Sequence, residues 1–182
     1  DTTHRWGERW GDVNLLAAMR ITNYDQGGQV RDNLQFNDNL IIMRARGDSE
    51  IQGTRFYSDT SITNTVFRNN VVKAEVLDDK VRRAACLVPQ GHYRKPDSVP
   101  IKYIDNRLIS NICMIQFGCP YGKGNNHHFV RTKFERVGDN PEFHTFVFDG
   151  SFWNFGHVIL DGEFGPGTRY DDVYWRNTGT QS

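Results

Sequence analysis

Hydrophobic residues in this chain fall in short alternating runs. In NNVVKAEVLDD, Val72, Ala74 and Val76 alternate with Lys73 and Glu75, the period of a strand with one face buried. LQFNDNLIIMRAR places an Asn37-Asp38 turn between two apolar stretches, the second running from Leu40 to Arg46. IKYIDNRLISNICMIQFG, HHFVRTKFERVG, EFHTFVFDG and HVILDGEF are further strand-length runs, with Gly, Asn and Asp scattered at turn-like intervals between them. The pattern predicts an all-β sandwich or barrel with little helix. Only DVNLLAAMRIT, Asp12 to Thr22, offers a helix capped by Asp12, and a buried strand is the alternative reading there. Pro96 and Pro100 make QGHYRKPDSVP a loop.

No internal repeat or linker divides the 182 residues, so one domain is expected. It divides into an N-terminal arm with a first strand or short helix over 1–32 and the β-sandwich proper over 33–182. Lys+Arg and Asp+Glu are equal at 22 each, which leaves no net field to steer the chain onto nucleic acid. No run approaches the ~18 apolar residues of a membrane span. The chain starts at Asp1 without a charged-then-apolar leader, as a processed or excised segment would, and an extracellular or surface-exposed location is expected.

Cys86, Cys113 and Cys119 are an odd number, which excludes a complete disulfide framework. Cys113 and Cys119 either close a small loop or are plain buried thiols. No short-spaced Cys/His set suits zinc, and the adjacent His127 and His128 would point to opposite faces of a strand. Asp139, Glu142, Asp149, Asp161 and Glu163 are candidate ligands for a structural calcium ion, the one cofactor considered.

Four stretches, FNDNLIIMRAR, TVFRNNVVKAEVLDDKVRRAACLVP, EFHTFVFDGSFWNFGHVILDGE and TRYDDVYWRNTGT, together resemble the concanavalin A-like jelly roll. The resemblance, spanning about residues 33 to 177, is to family 16 glycoside hydrolases and family 7 polysaccharide lyases. It implies an all-β, two-sheet antiparallel jelly-roll sandwich. The hydrolases' E-x-D-x-E strand is absent, since the matching strand reads SNICMIQFG, which argues against glycoside hydrolysis. A lyase needs a group to neutralise a uronate carboxylate and a base for the C5 proton. The nominees are Arg68 and Gln116 for the first role and His144 or Tyr174, with Tyr170 as a further base, for the second. The lyases' Q-x-H strand is not reproduced, because Phe117 and Gly118 follow Gln116.

Aromatic residues make up 13% of the chain, and their rings stack on the apolar C–H faces of sugars. In YDDVYWRN, Tyr170, Asp172, Tyr174 and Arg176 share one strand face, while Val173 and Trp175 mark the other as core. With Trp153, in a turn-like context between Gly150 and Gly156, those four are the candidate ligand contacts. The repeated Arg-Trp-Gly unit at Trp6 and Trp10 suggests an arm that docks on a neighbouring subunit or folds back on its own domain. Arg46-Gly47-Asp48-Ser49 reads either as an adhesion tetrapeptide or as an ordinary hairpin turn. The leading expectation is a non-catalytic module that binds carbohydrate through an aromatic and polar face. The alternatives are a uronate lyase acting by β-elimination and a structural or capsid-like subunit.

Overall fold

The computed structural model describes residues 14–23, 31–47, 49–58, 62–78, 83–91, 100–117, 126–149 and 157–176. Among them the chain winds through three parallel sheets, contributing one strand to each on every coil. The first sheet contains β1 (Asn14–Asn23), β5 (Ser49–Ser58), β9 (Arg83–Gly91), β12 (Cys113–Phe117), β15 (His144–Asp149) and β18 (Val173–Arg176), in that spatial order. The second contains β3 (Gln35–Asn37), β7 (Val66–Arg68), β10 (Ile101–Ile104), β13 (His127–Val130) and β16 (Val158–Leu160). The third contains β4 (Leu40–Ala45), β8 (Val71–Val76), β11 (Arg107–Ser110), β14 (Lys133–Arg136) and β17 (Glu163–Phe164). A short extra pair, β2 (Arg31–Asp32) with β6 (Ile62–Thr63), precedes the second sheet in the first two coils.

This is a parallel β-solenoid, and it overturns the two-sheet antiparallel jelly roll and the concanavalin A-like resemblance, because every strand pair among the described residues is parallel. Alternation of apolar and polar residues reports which face is buried and is blind to strand direction. The repeat missing from the sequence is present in the structure. Leu40, Val71, Arg107, Lys133 and Glu163 are successive register partners, and their uneven offsets hide the coil from a search at fixed period. The stretch with two readings near the N-terminus is strand β1, paired along β5 in the first sheet.

The second and third sheets meet at a two-residue corner. Asp38, Asn69, Asp105, Arg131 and Asp161 occupy its first position with φ of 60, 53, 56, 48 and 52°, the left-handed region that Asn and Asp tolerate best. The next residue turns inward, and in three coils it is Asn. Asn39 Nδ2 donates to Asn70 Oδ1 at 2.8 Å, and Asn70 Nδ2 donates to Asn106 Oδ1 at 2.9 Å. The same oxygens accept the backbone N–H groups of Asn39 and Asn70 at 3.0 Å, and Asn70 and Asn106 donate to the carbonyls of Phe36 and Phe67. The side-chain amides of Asn70 and Asn106 are thereby bonded within the protein.

Inside, like side chains stack coil upon coil. Phe36, Phe67, Tyr103 and Phe129 form one column with ring centroids 4.7, 4.9 and 4.5 Å apart. Phe117, Phe148 and Trp175 form a second at 4.8 and 4.5 Å, and Phe134 with Phe164 a third at 4.8 Å. These spacings match the distance between neighbouring strands, so the backbone ladder sets the ring contacts. Where coils press closest there is no room for a side chain: a Cβ on Gly53 would overlap Val72 Cγ1 and the Cys86 carbonyl oxygen. On the outer face of the third sheet basic residues gather on glutamates, with Arg44 and Lys73 on Glu75, and Arg107 and Lys133 on Glu135. Among the described residues no helix is long and apolar enough to cross a membrane.

The amide ladder gives a direct expectation. Asn70→Ala strands the groups that Asn70 satisfies in two neighbouring coils and should lower the unfolding free energy by about 3 kcal/mol in urea titration. A loss below about 0.5 kcal/mol, the size of an ordinary surface change, would show that the ladder does not hold the coils.

Candidate functional site

The last two strands of the first sheet among the described residues carry a polar and aromatic cluster that reaches solvent. His144 opens β15, and its Nδ1 lies 3.1 Å from Asp172 Oδ1, with the side chains 31% and 27% exposed. The other carboxylate oxygen, Asp172 Oδ2, accepts from Thr145 N at 2.6 Å and from Thr145 Oγ1 at 3.0 Å. Thr145 Oγ1 in turn accepts the Arg169 N–H at 3.1 Å, and the Asp172 carbonyl accepts from Phe146 N. Asp172 thus fixes the entry of β18 against β15 while it orients the imidazole. An ionised carboxylate only accepts, so Nδ1 carries the hydrogen of this bond.

The Tyr174 ring lies flat on His144, with centroids 4.9 Å apart and an interplanar angle of 16°. Tyr174 is the register partner of Val147, and Gln116 is Val147's partner on the other side, so these three form a row across the sheet. Gln116 is 1% exposed, whereas Tyr174, on the edge strand, is 38% exposed. The next residue, Trp175, turns the other way and closes the interior column over Phe148.

Partial burial of Asp172 pushes its pKa up, and the Thr145 N–H, His144 and the Thr145 hydroxyl outweigh that and hold it below the usual carboxylate range. Cys113, the register partner of His144, suggests a thiol nucleophile beside a histidine, but it is fully buried and burial pushes its pKa well up. Cys86 is likewise buried and pushed up to about 12. Both are free thiols, small core residues without the activation a nucleophile needs.

The other nominated residues are placed as follows. Tyr170 is 77% exposed, edge-on to Phe164 at 6.5 Å, beyond the third sheet rather than beside Tyr174. Arg68 lies exposed on β7 in the second sheet, so the four lyase nominees are spread over two sheets, and His144 and Tyr174 are in contact. Arg176 is the register partner of Asp149. Trp153, Trp6, Trp10, Cys119 and Asp48 lie outside the described residues. Among the described residues no three His, Cys, Asp or Glu side chains gather as metal ligands. Glu163, one calcium nominee, instead pairs with Lys133 at 2.8 Å. Thr145 carried no signal in the sequence, since its role exists only once β18 stacks on β15. No family model, curated protein or solved structure matches the chain.

Because the pKa of Asp172 is lowered on folding, its ionised form adds stability that is present above about pH 4 and lost as pH falls through the depressed folded value. Asp172→Asn lacks that contribution. The stability gap between wild type and variant, read by urea unfolding, should therefore shrink as pH drops below about 4. A gap that stays constant into strong acid would contradict the clamp.

Proposed function

We propose that the chain is a carbohydrate-binding solenoid module whose contact surface is the outer face of β15 and β18. The observation that carries this reading is the Tyr174 ring seated on His144, with Asp172 fixing the imidazole from the side. A sugar offers an apolar C–H face and a rim of hydroxyls, and this ledge offers a half-exposed ring beside a carboxylate and an imidazole nitrogen. The ledge is held before any ligand arrives, since Asp172 makes five hydrogen bonds, three to its carboxylate, one to its carbonyl and one from its N–H to the Arg169 carbonyl. Little ordering cost falls on binding.

A structural or assembly role is the second reading. The exposed Leu160 (52%) and Trp175 (66%) on the last coil favour it, since solenoid ends with apolar surface invite a partner.

The test is a glycan screen with wild type and Tyr174→Ala, both checked for unchanged circular dichroism. Loss of one stacked ring should weaken binding about tenfold. Absence of glycan binding, together with a concentration-dependent mass in solution, would replace this reading with assembly.

A further inference from the structure

Outward residues of the second sheet stack in two rows, coil upon coil. Gln35, Val66, Lys102, His128 and Val158 are successive register partners in the first row, and Asn37, Arg68, Ile104, Val130 and Leu160 in the second. The residues between the rows form the interior column of Phe36, Phe67, Tyr103 and Phe129, so both rows face out. Val66, Ile104, Val130, Val158 and Leu160 thus make an aliphatic patch on the outer face, with Val158 40% and Leu160 52% exposed.

The charges around this patch are not balanced within one copy, unlike those of the third sheet. The two rows hold Arg68 and Lys102 but no Asp or Glu, and carboxylates stand only beside them, at the corner. There Asp105 is taken by Arg131 through two bonds of 2.7 and 2.9 Å. Arg68 and Asp161, the latter next to Leu160 at the far end of the second row, make no ion pair among the described residues.

We propose that two copies of this chain pair through the outer face of the second sheet as an isologous dimer. A two-fold axis lying in the interface, parallel to the strands and midway between β10 and β13, exchanges β10 with β13 and β7 with β16. Ile104 then packs on Val130 of the second copy, and Val66 on Val158. The Arg68 stem covers Leu160 of the second copy, and its guanidinium reaches Asp161, the next residue along. At the corner Asp105 comes opposite Arg131 of the second copy, so four charges of alternating sign meet. Lys102 comes opposite His128 at the edge of the patch, where a lysine head stays in water. One operation therefore matches apolar surface with apolar surface and the unpaired Arg68 with the unpaired Asp161. Five strands about 4.8 Å apart give a face only about 20 Å wide, small beside the roughly 800 Å² per partner of a standard interface, so the dimer is weak, with Kd on the order of 100 µM. The proposal stands apart from the carbohydrate reading, whose ledge is on the first sheet.

The experiment is sedimentation equilibrium of wild type, Arg68→Asp, Asp161→Arg and Leu160→Glu from about 10 µM to about 1 mM, a range that brackets the expected Kd. All three substituted positions are exposed, and circular dichroism checks that each variant keeps the wild-type fold. Wild type should pass from monomer to dimer, and each variant alone should pair at least about tenfold more weakly. An equimolar mixture of Arg68→Asp and Asp161→Arg should dimerise like wild type, because each variant then meets opposite charge in the other at both contacts. Wild type that stays monomeric to about 1 mM, or grows into species larger than a dimer, would overturn the proposal. So would a dimer that Leu160→Glu leaves intact, or a mixture that associates no better than either variant alone.

Discussion

The Asn70 side chain accepts from the coil on one side and donates to the coil on the other, and the structure depends on that exchange being repeated in register. A buried amide that misses its partner costs about 1–3 kcal/mol, so a slipped coil would lose several such bonds together. Once Asn39, Asn70 and Asn106 are aligned, the strands on either side of the corner are aligned with them. Rings then fall on rings and, on the outer face of the third sheet, glutamates fall beside arginines and lysines. The exposed charge pairs add little stability.

The site is a product of the same stacking. His144 and Asp172 are 28 residues apart and meet because β18 lies one coil beyond β15. Tyr174 is 38% exposed on β18, the edge strand of its sheet among the described residues. In the preceding strands the residues of the same row, Val147 and Gln116, are buried. The last coil is thus where the outer face of the first sheet opens, and where a polar clamp serves both to hold the strand and to present an aromatic surface.

Much of this was legible in the sequence, and the illegible part has a definite cause. Alternation in VVKAEV gave strand β8 and its buried face, and the same rule put Trp175 on the core side and Tyr174 outside. Strand direction was not legible, because a period of two is the same in an antiparallel meander and in a parallel coil. The clue lay in the corners, where Asn69-Asn70 and Asp105-Asn106 pair a residue suited to positive φ with an inward amide. Read alone, each such pair is an ordinary hairpin turn. Tyr174, Asp172 and His144 were all visible as candidates, but His144 and Asp172 belonged to separate readings, since nothing local links positions one coil apart.

The most direct test of the account is the register itself. In a parallel pair, residue partners keep a constant difference, so Leu40 with Val71 and Arg44 with Glu75 are both neighbours on one outer face. In an antiparallel pair at most one of these matches survives. Two double variants, Leu40→Cys with Val71→Cys and Arg44→Cys with Glu75→Cys, each in a Cys119→Ser background, would be treated with a short bis-maleimide and the products mapped by mass spectrometry, Cys86 and Cys113 being buried. Crosslinking in both variants is the result expected of the solenoid. Crosslinking in one and not the other would contradict the parallel stacking and, with it, the meeting of His144, Asp172 and Tyr174.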